Sequence, residues 1–390
     1  MTEDLEASRP APAADRDPSR AHWMELFFDL IFVALVGQLA HGIHDHPTIP
    51  ALLLFTALFA SVWWSWVNLT FTVNVMPWLT RRQLSGVMIA AMFAVGAIAV
   101  AAPEATGDRA WLFAAGNAML RIVLLGLWAA QAWGVGTASR VRLLVYNGVT
   151  ALIWAVSIVV PPPWNFVLWG CAILVEVTLL VVSTGRWADR LLPIFNAEHL
   201  AERFGLLVVI VLGESVLTGV AALNESWTPA SGLAAILGLA VIAMLAWSFF
   251  IYGTDEMHAG LERLREAADV RAIRDTVAFL PFLVVVGVTA ISAAIGSAIH
   301  HPDEPLPEAS AIALGGGLAI FYLANAIVSL RFGREPRDVL RWAVPALLLS
   351  LAVGAAALVV GSVAAIALAV GALVVIVGLA EIASRRTPRA

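Results

Sequence analysis

The feature that most constrains this chain is a succession of apolar runs of about 20 residues, separated by short polar breaks. The runs cover 22–41, 51–74, 83–102, 110–135, 141–160, 164–183, 199–222, 231–252, 275–299, 311–330, 338–359 and 362–382. A helix of that length crosses the hydrocarbon core of a bilayer. In lipid every backbone polar group must be satisfied within a helix or a closed barrel. The runs lack the strand-length alternation of barrel strands, so the pattern predicts an all-α polytopic membrane protein of about twelve transmembrane helices. Composition agrees: 61% of residues are hydrophobic and 13% charged, where roughly 25% charged is usual for soluble domains. A soluble nucleic-acid binder, a disulfide scaffold and a single-anchor enzyme are excluded. The lone Cys171 allows no intrachain disulfide, and a net charge of −5 selects no class of partner beyond the lipid bilayer.

Residues 1–21, rich in Pro, Asp and Arg, read as a disordered cytoplasmic tail, and the first apolar run is too long for a cleavable signal. All 23 basic residues are arginine. With the N-terminus inside, only Arg109 falls in an outer loop. Arg121 and Arg203 fall within spans, and every other arginine falls in an inner segment. That asymmetry satisfies the positive-inside rule. It places both termini in the cytoplasm, with 184–198 as a cytoplasmic linker and 383–390 as a C-terminal tail.

The start of helix 1, His22-Trp-Met-Glu25-Leu-Phe27-Phe-Asp29-Leu30, matches His199-Leu-Ala-Glu202-Arg-Phe204-Gly-Leu-Leu207 at His, Glu, Phe and Leu. Trp64-Ser65-Trp66 in helix 2 has a counterpart in Trp247-Ser248-Phe249 of helix 8. Two patches in the same order imply two parallel six-helix repeats, 22–183 and 199–382, as in transporters whose sites lie between repeats.

The run Glu25-Leu-Phe-Phe-Asp29-Leu-Ile-Phe-Val33, with His199-Leu-Ala-Glu202-Arg-Phe-Gly and Val211-Leu-Gly-Glu214-Ser215, resembles the bacterial low temperature requirement protein A family over nearly the whole chain. The resemblance implies a bacterial plasma (inner) membrane protein linked to growth in the cold. It brings no substrate, cofactor or catalytic residue. A looser likeness is to lysosomal-type potassium channels with a Phe-Ser-Asp motif in each first helix. Phe27-Phe28-Asp29 is similar to it, whereas Phe204-Gly205-Leu206 departs from it.

Ionisable groups at lipid depth cost about 2.5–3.5 kcal/mol each on insertion scales. The deep groups are Glu25, Asp29, Arg121, Glu176, Glu202, Arg203 and Glu214, so the acids outnumber the bases. The surplus must be protonated, solvated or paired with something bound. Counting rise along the helices puts Arg121 roughly 17 Å and Glu176 roughly 18 Å from the outer ends of helices 4 and 6. Equal depth predicts an ion pair between them. His22, Glu25 and Asp29 share one stripe at i, i+3 and i+7, and His199 and Glu202 repeat its first two members. The helix dipole accounts for acids in a first turn, but not for Asp29, roughly 10 Å in, or Glu214, roughly 22 Å beyond residue 199. His-x-x-Glu also suits a metal in a helical bundle, with His22 and His199 as ligands of a divalent ion. No other cofactor is expected.

His41, His44, Asp45 and His46, with His300, His301, Asp303 and Glu304, read as solvated outer loops. Trp63, Trp64 and Trp66 are expected against helix 1. Asn68, Thr70, Thr72 and Asn74 suit either a hydrated path or interhelical bonds. Gly315-Gly316-Gly317 permits close packing, and the charged stretch 253–274 reads as a cytoplasmic extension or surface helix.

These features point to a proton- or cation-coupled transporter or ion channel, with Glu25, Asp29, Glu202 and Glu214 of helices 1 and 7, and Arg121 and Glu176, as transport or ion-binding residues. An intramembrane enzyme acting on a lipid or small substrate, and a non-catalytic membrane factor for the cold, are the alternatives. A homo-oligomer is compatible with either, and no catalytic residue stands out.

Overall fold

A computed structural model describes residues 23–45, 48–131, 137–183 and 195–386. The tail 1–21 and His22 lie outside the described residues, as do 184–194 of the linker and 387–390. The described residues form twelve long helices. They are α1 (Trp23–Asp45), α2 (Ile49–Asn74), α3 (Arg81–Ala101), α4 (Ala110–Gln131), α5 (Thr137–Ser157) and α6 (Trp164–Ser183). Then follow α7 (Ala197–Glu225), α8 (Pro229–Glu266), α9 (Val270–His300), α10 (Glu308–Arg331), α11 (Pro336–Ala357) and α12 (Ser362–Arg386). Eleven are long and apolar enough to cross a bilayer, and α5 adds a shorter apolar stretch, Leu144–Ser157. Every apolar run of the sequence is a helix. The charged stretch after Phe250 continues α8 without a break to Glu266, because Glu, Arg, Leu and Ala sustain a helix as well in water as in lipid.

Local signals set the ends. Thr80 caps α3, its hydroxyl accepting from the Gln83 N–H while the Gln83 side chain accepts from the Thr80 N–H, a reciprocal capping box. Pro336 opens α11 where a missing N–H costs nothing. Trp23, Trp111, Trp164 and Trp227 are exposed at helix ends, where indole rings suit the boundary between lipid and water. Leu53, Phe93, Leu174 and Leu348 are exposed along the helices, as expected of surfaces that meet acyl chains.

The chain divides into two compact units. The first takes in the chain to Leu39, Leu58–Arg203 and Arg265–Arg274; the second takes in Ala40–Ala57, Phe204–Leu264 and Asp275–Ala390. In the first, α3, α4, α5 and α6 pack in sequence order, each on the next. The aromatic residues of α2 fill its core: Phe59, Trp63 and Trp66 are fully buried. Trp63 stacks on Trp66 at 5.2 Å between ring centroids, and Trp66 lies 6.0 Å from Phe32 of α1. Helix 2 tryptophans therefore meet helix 1 as the sequence suggested, each pair adding about 0.5–1.5 kcal/mol beyond burial.

In the second unit α9, α10, α11 and α12 pack in order, and α12 also returns to α9. Their loops are stitched at the end remote from the arginines. Ser362 donates its N–H and its hydroxyl to the Glu304 carbonyl, Val363 N–H bonds Pro302 O, and Leu306 N–H bonds Ala357 O. Two glycines of α10 bring its neighbours to backbone contact. A Cβ on Gly315 would meet Gly354 Cα of α11 at 2.7 Å, and a Cβ on Gly317 would meet Gly287 O of α9 at 2.7 Å. Gly316 has only the Ile312 side chain, 4.0 Å away. Alanine at 315 or 317 is therefore expected to cost about 1–3 kcal/mol through backbone separation. Alanine at 316 is expected to stabilise by up to about 1 kcal/mol through helix propensity. Thermal unfolding of the three variants in detergent checks the order.

Candidate functional site

The deep charges of the first unit gather in two buried clusters. In the first, Glu25 and Asp29, one turn apart on α1, face His199 and Arg203, one turn apart on α7. All four side chains have no exposed surface. Arg203 Nε donates to Asp29 Oδ2 at 3.0 Å, Nη2 donates to Asp29 Oδ1, and Nη1 donates to Glu25 Oε2 at 2.8 Å. Trp66 Nε1 donates to Asp29 Oδ1 at 2.7 Å, and the guanidinium carbon lies 5.7 Å from the Trp66 ring centroid. The Trp66 ring thus faces the Arg203 cation.

His199 is held in one tautomer by its neighbours. Asn74 Oδ1 accepts from the Asn196 N–H at 3.0 Å, which orients the amide. Asn74 Nδ2 then donates to Asn196 O at 2.8 Å and to His199 Nδ1 at 3.2 Å. With Nδ1 accepting, the ring hydrogen sits on Nε2, which donates to Glu25 Oε2 at 3.0 Å. Both ring nitrogens of His199, expected as a metal ligand, lie within hydrogen-bond distance of these neighbours. No group of three His, Cys, Asp or Glu side chains suited to a metal occurs among the described residues.

The second cluster joins α2, α4 and α6. Arg121 and Glu176, placed at one level by helix rise, form a bidentate pair, Nε to Oε1 at 2.9 Å and Nη2 to Oε2 at 2.8 Å. Arg121 Nη1 also donates to Asn117 O at 3.2 Å and Asn117 Oδ1 at 2.7 Å, and Nη2 donates to Ser61 O at 2.8 Å. Five contacts occupy the five guanidinium N–H groups. The Trp154 ring lies below the cation, 5.2 Å from centroid to carbon. A guanidinium so saturated has no donor to offer a passing anion.

Much of the polar side of α2 bonds its neighbours, although the Ser65 and Thr70 hydroxyls have no partner among the described residues. Asn68 Nδ2 donates to Asn147 Oδ1 at 3.1 Å, and Trp128 Nε1 donates to Thr72 Oγ1 at 3.2 Å. These are interhelical bonds. At the other end, His300 Nδ1 and the Ser226 hydroxyl are 2.9 Å apart.

The structure does not bring Glu202 and Glu214 to Glu25 and Asp29. Glu202 lies on the exposed side of α7. Glu214 is half-buried and has no hydrogen-bond or ion-pair partner among the described residues. Matching Glu202 to Glu25 pointed at the wrong neighbour of His199: the residue that faces the α1 acids is Arg203. Equal depth shows once the helix starts are known, since Arg203 and Asp29 each lie six residues into their helices, roughly 9 Å along; the apolar run from 199 puts Arg203 only four residues in.

Comparison with known proteins bears on the whole chain. Over 321 residues it is 26% identical to an uncharacterized protein of Rhizobium meliloti (strain 1021), covering 78% of this chain and 76% of that protein. No solved structure matches. Residues 20–380 match the family described as Bacterial low temperature requirement A protein (LtrA). A bacterial membrane protein whose described residues form twelve long helices, with charged residues of α1 and α7 in its interior, the chain belongs to the low temperature requirement A family.

Proposed function

We propose that this protein moves protons or a small cation across the bacterial inner membrane, and that Glu214 of α7 is the carboxylate that takes part. The observation that carries the reading is the isolation of Glu214: it lies within an apolar helix, half-buried, and no described residue answers its charge. A carboxylate at that depth is tolerated when water, a proton or a cation reaches it. Glu25, Asp29 and Glu176 are already bonded to Arg203 and Arg121, so in this reading they form the fixed frame. The acid-lined path expected from the sequence thereby narrows to α7. The arginine asymmetry supports cytoplasmic termini, and the matched starts of α1 and α7 support two parallel six-helix repeats, 22–183 and 199–382.

The test is flux into liposomes under a set membrane potential, read with a trapped pH dye and with cation-sensitive dyes. Wild-type protein is expected to carry flux, and Glu214→Gln to lower it by about tenfold or more while eluting as a folded species. Full flux in Glu214→Gln overturns the role of Glu214. Silence of the wild type under every cation gradient overturns transport itself. One observation favours a second reading, a non-catalytic membrane factor: the α1 acids, where a path would be sought first, are enclosed and bonded.

A further inference from the structure

The second unit has a partly open cavity of about 130 Å3 at the end of its helices that carries Arg334 and Asp338. A dry cavity of roughly 150 Å3 holds one benzene-sized molecule. The walls are apolar and rich in rings, with Phe204, Phe249, Leu280, Phe321, Phe332 and Trp342 among them. Among the lining residues are four that carry hydroxyls, Ser248, Thr276, Tyr322 and Ser329, and the amide-bearing Asn325.

The hydroxyls are poorly served by the protein. Thr276 is completely buried, and its hydroxyl has no hydrogen-bond partner among the described residues. Two other buried hydroxyls of this unit bond the carbonyl one turn back, Ser215 to Val211 O at 3.0 Å and Ser350 to Ala346 O at 2.7 Å, whereas Ser310, like Thr276, has no partner among the described residues. Thr276 instead belongs to a π-helical turn, Asp275–Phe279, just ahead of Pro281, which has no N–H to give. Such turns recur at functional sites. Ser248 and Tyr322 hydroxyl oxygens are 3.4 Å apart, at the limit of a hydrogen bond. Asn325 donates to Phe321 O at 2.8 Å, and its side-chain carbonyl makes no bond among the described residues. A bare buried hydroxyl is costly, and a molecule that brings it an oxygen recovers that cost.

Charge at the mouth is answered within the protein. Arg331 Nη2 donates to Asp275 Oδ2 at 2.9 Å, and Arg341 Nη1 donates to Asp338 Oδ1 at 2.7 Å. Arg334 is engaged as well. An ion would have to leave water without gaining an unspent counter-charge, so the occupant that fits is uncharged.

We propose that this cavity binds a small uncharged ring compound bearing one or two hydrogen-bonding oxygens, of the phenol or cyclic-alcohol class. Its ring packs against the aromatic walls, and its oxygen meets Thr276 and Tyr322. The proposal is independent of flux through Glu214, which does not line the cavity.

Fluorine NMR of 4-fluorophenol with the full chain in lipid nanodiscs tests it, with empty nanodiscs as the baseline. Saturable binding is expected, displaced by cyclohexanol, with 4-fluorobenzoate about tenfold weaker. Thr276→Val and Tyr322→Phe, each lacking one hydroxyl, are each expected to weaken 4-fluorophenol about fivefold. Their affinity for fluorobenzene, which lacks the oxygen, stays within about twofold of wild type. Thr276→Ser, which keeps the hydroxyl, retains wild-type affinity. Three results overturn the proposal: no binding above empty nanodiscs, unchanged 4-fluorophenol affinity in both hydroxyl-less variants, or 4-fluorobenzoate binding as tightly as the phenol.

Discussion

Arg203→Met is expected to lower stability by about 3–5 kcal/mol, read as a lower unfolding midpoint in detergent and poor recovery of folded protein. The guanidinium is the cation that Glu25 and Asp29 share, and all three groups are fully buried. Without it, two carboxylates one turn apart keep the neutral Trp66 and His199 donors but lose the cation between them, and like charges in low dielectric repel. The cost comes from the orphaned acids more than from the lost contacts. Removing the acids as well should therefore restore most of the loss: Glu25→Gln with Asp29→Asn in the Arg203→Met background is expected within about 1–2 kcal/mol of wild type. A single variant as stable as wild type would mean that the cluster carries no charge to balance.

Arg121→Met is expected to cost a similar amount, about 3–5 kcal/mol, but to be less easily rescued. Glu176 loses its bidentate partner, and Asn117 Oδ1 loses the Nη1 donor; the carbonyls of Ser61 and Asn117 lie inside helices and keep their backbone donors one turn on. An orphaned buried acceptor carries a penalty of about 1–3 kcal/mol. Adding Glu176→Met removes the stranded charge and leaves Asn117 Oδ1 bare. Recovery in Arg121→Met with Glu176→Met should accordingly fall short by about 1–3 kcal/mol, where the Arg203 combination recovers nearly all. The same unfolding series decides this, and full recovery of the pair would show that Asn117 Oδ1 finds another donor.

Much of the architecture was legible because hydropathy and lipid thickness leave a chain few options. All twelve apolar runs became helices, and equal depth alone paired Arg121 with Glu176. The end of α8 was less legible: hydropathy marks where a helix leaves lipid near Phe250, whereas the hydrogen-bonded helix persists to Glu266. The α1–α7 cluster was half legible. Repeat matching drew attention to His199 and Glu202, but a helix face is set by angle, and a residue's neighbour in sequence turns about 100° away from it. His199 and Arg203 share the face toward α1, and Glu202 does not. The hydroxyl of Thr276 gave no signal in sequence, since its isolation arises from a local widening of the helix ahead of Pro281.

The laced loops between α9 and α10 and between α11 and α12 behave like the spring of a clothes-peg. Four backbone and side-chain bonds hold Pro302, Glu304 and Leu306 to Ala357, Ser362 and Val363, so these four helices cannot splay at that end without breaking them together. The cavity's mouth lies at the opposite jaws, beside Arg334 and Asp338, where the Arg331–Asp275 bond ties α10 to α9 through side chains. A guest proposed for the ring-walled chamber is therefore expected to enter and leave from the arginine-bearing side.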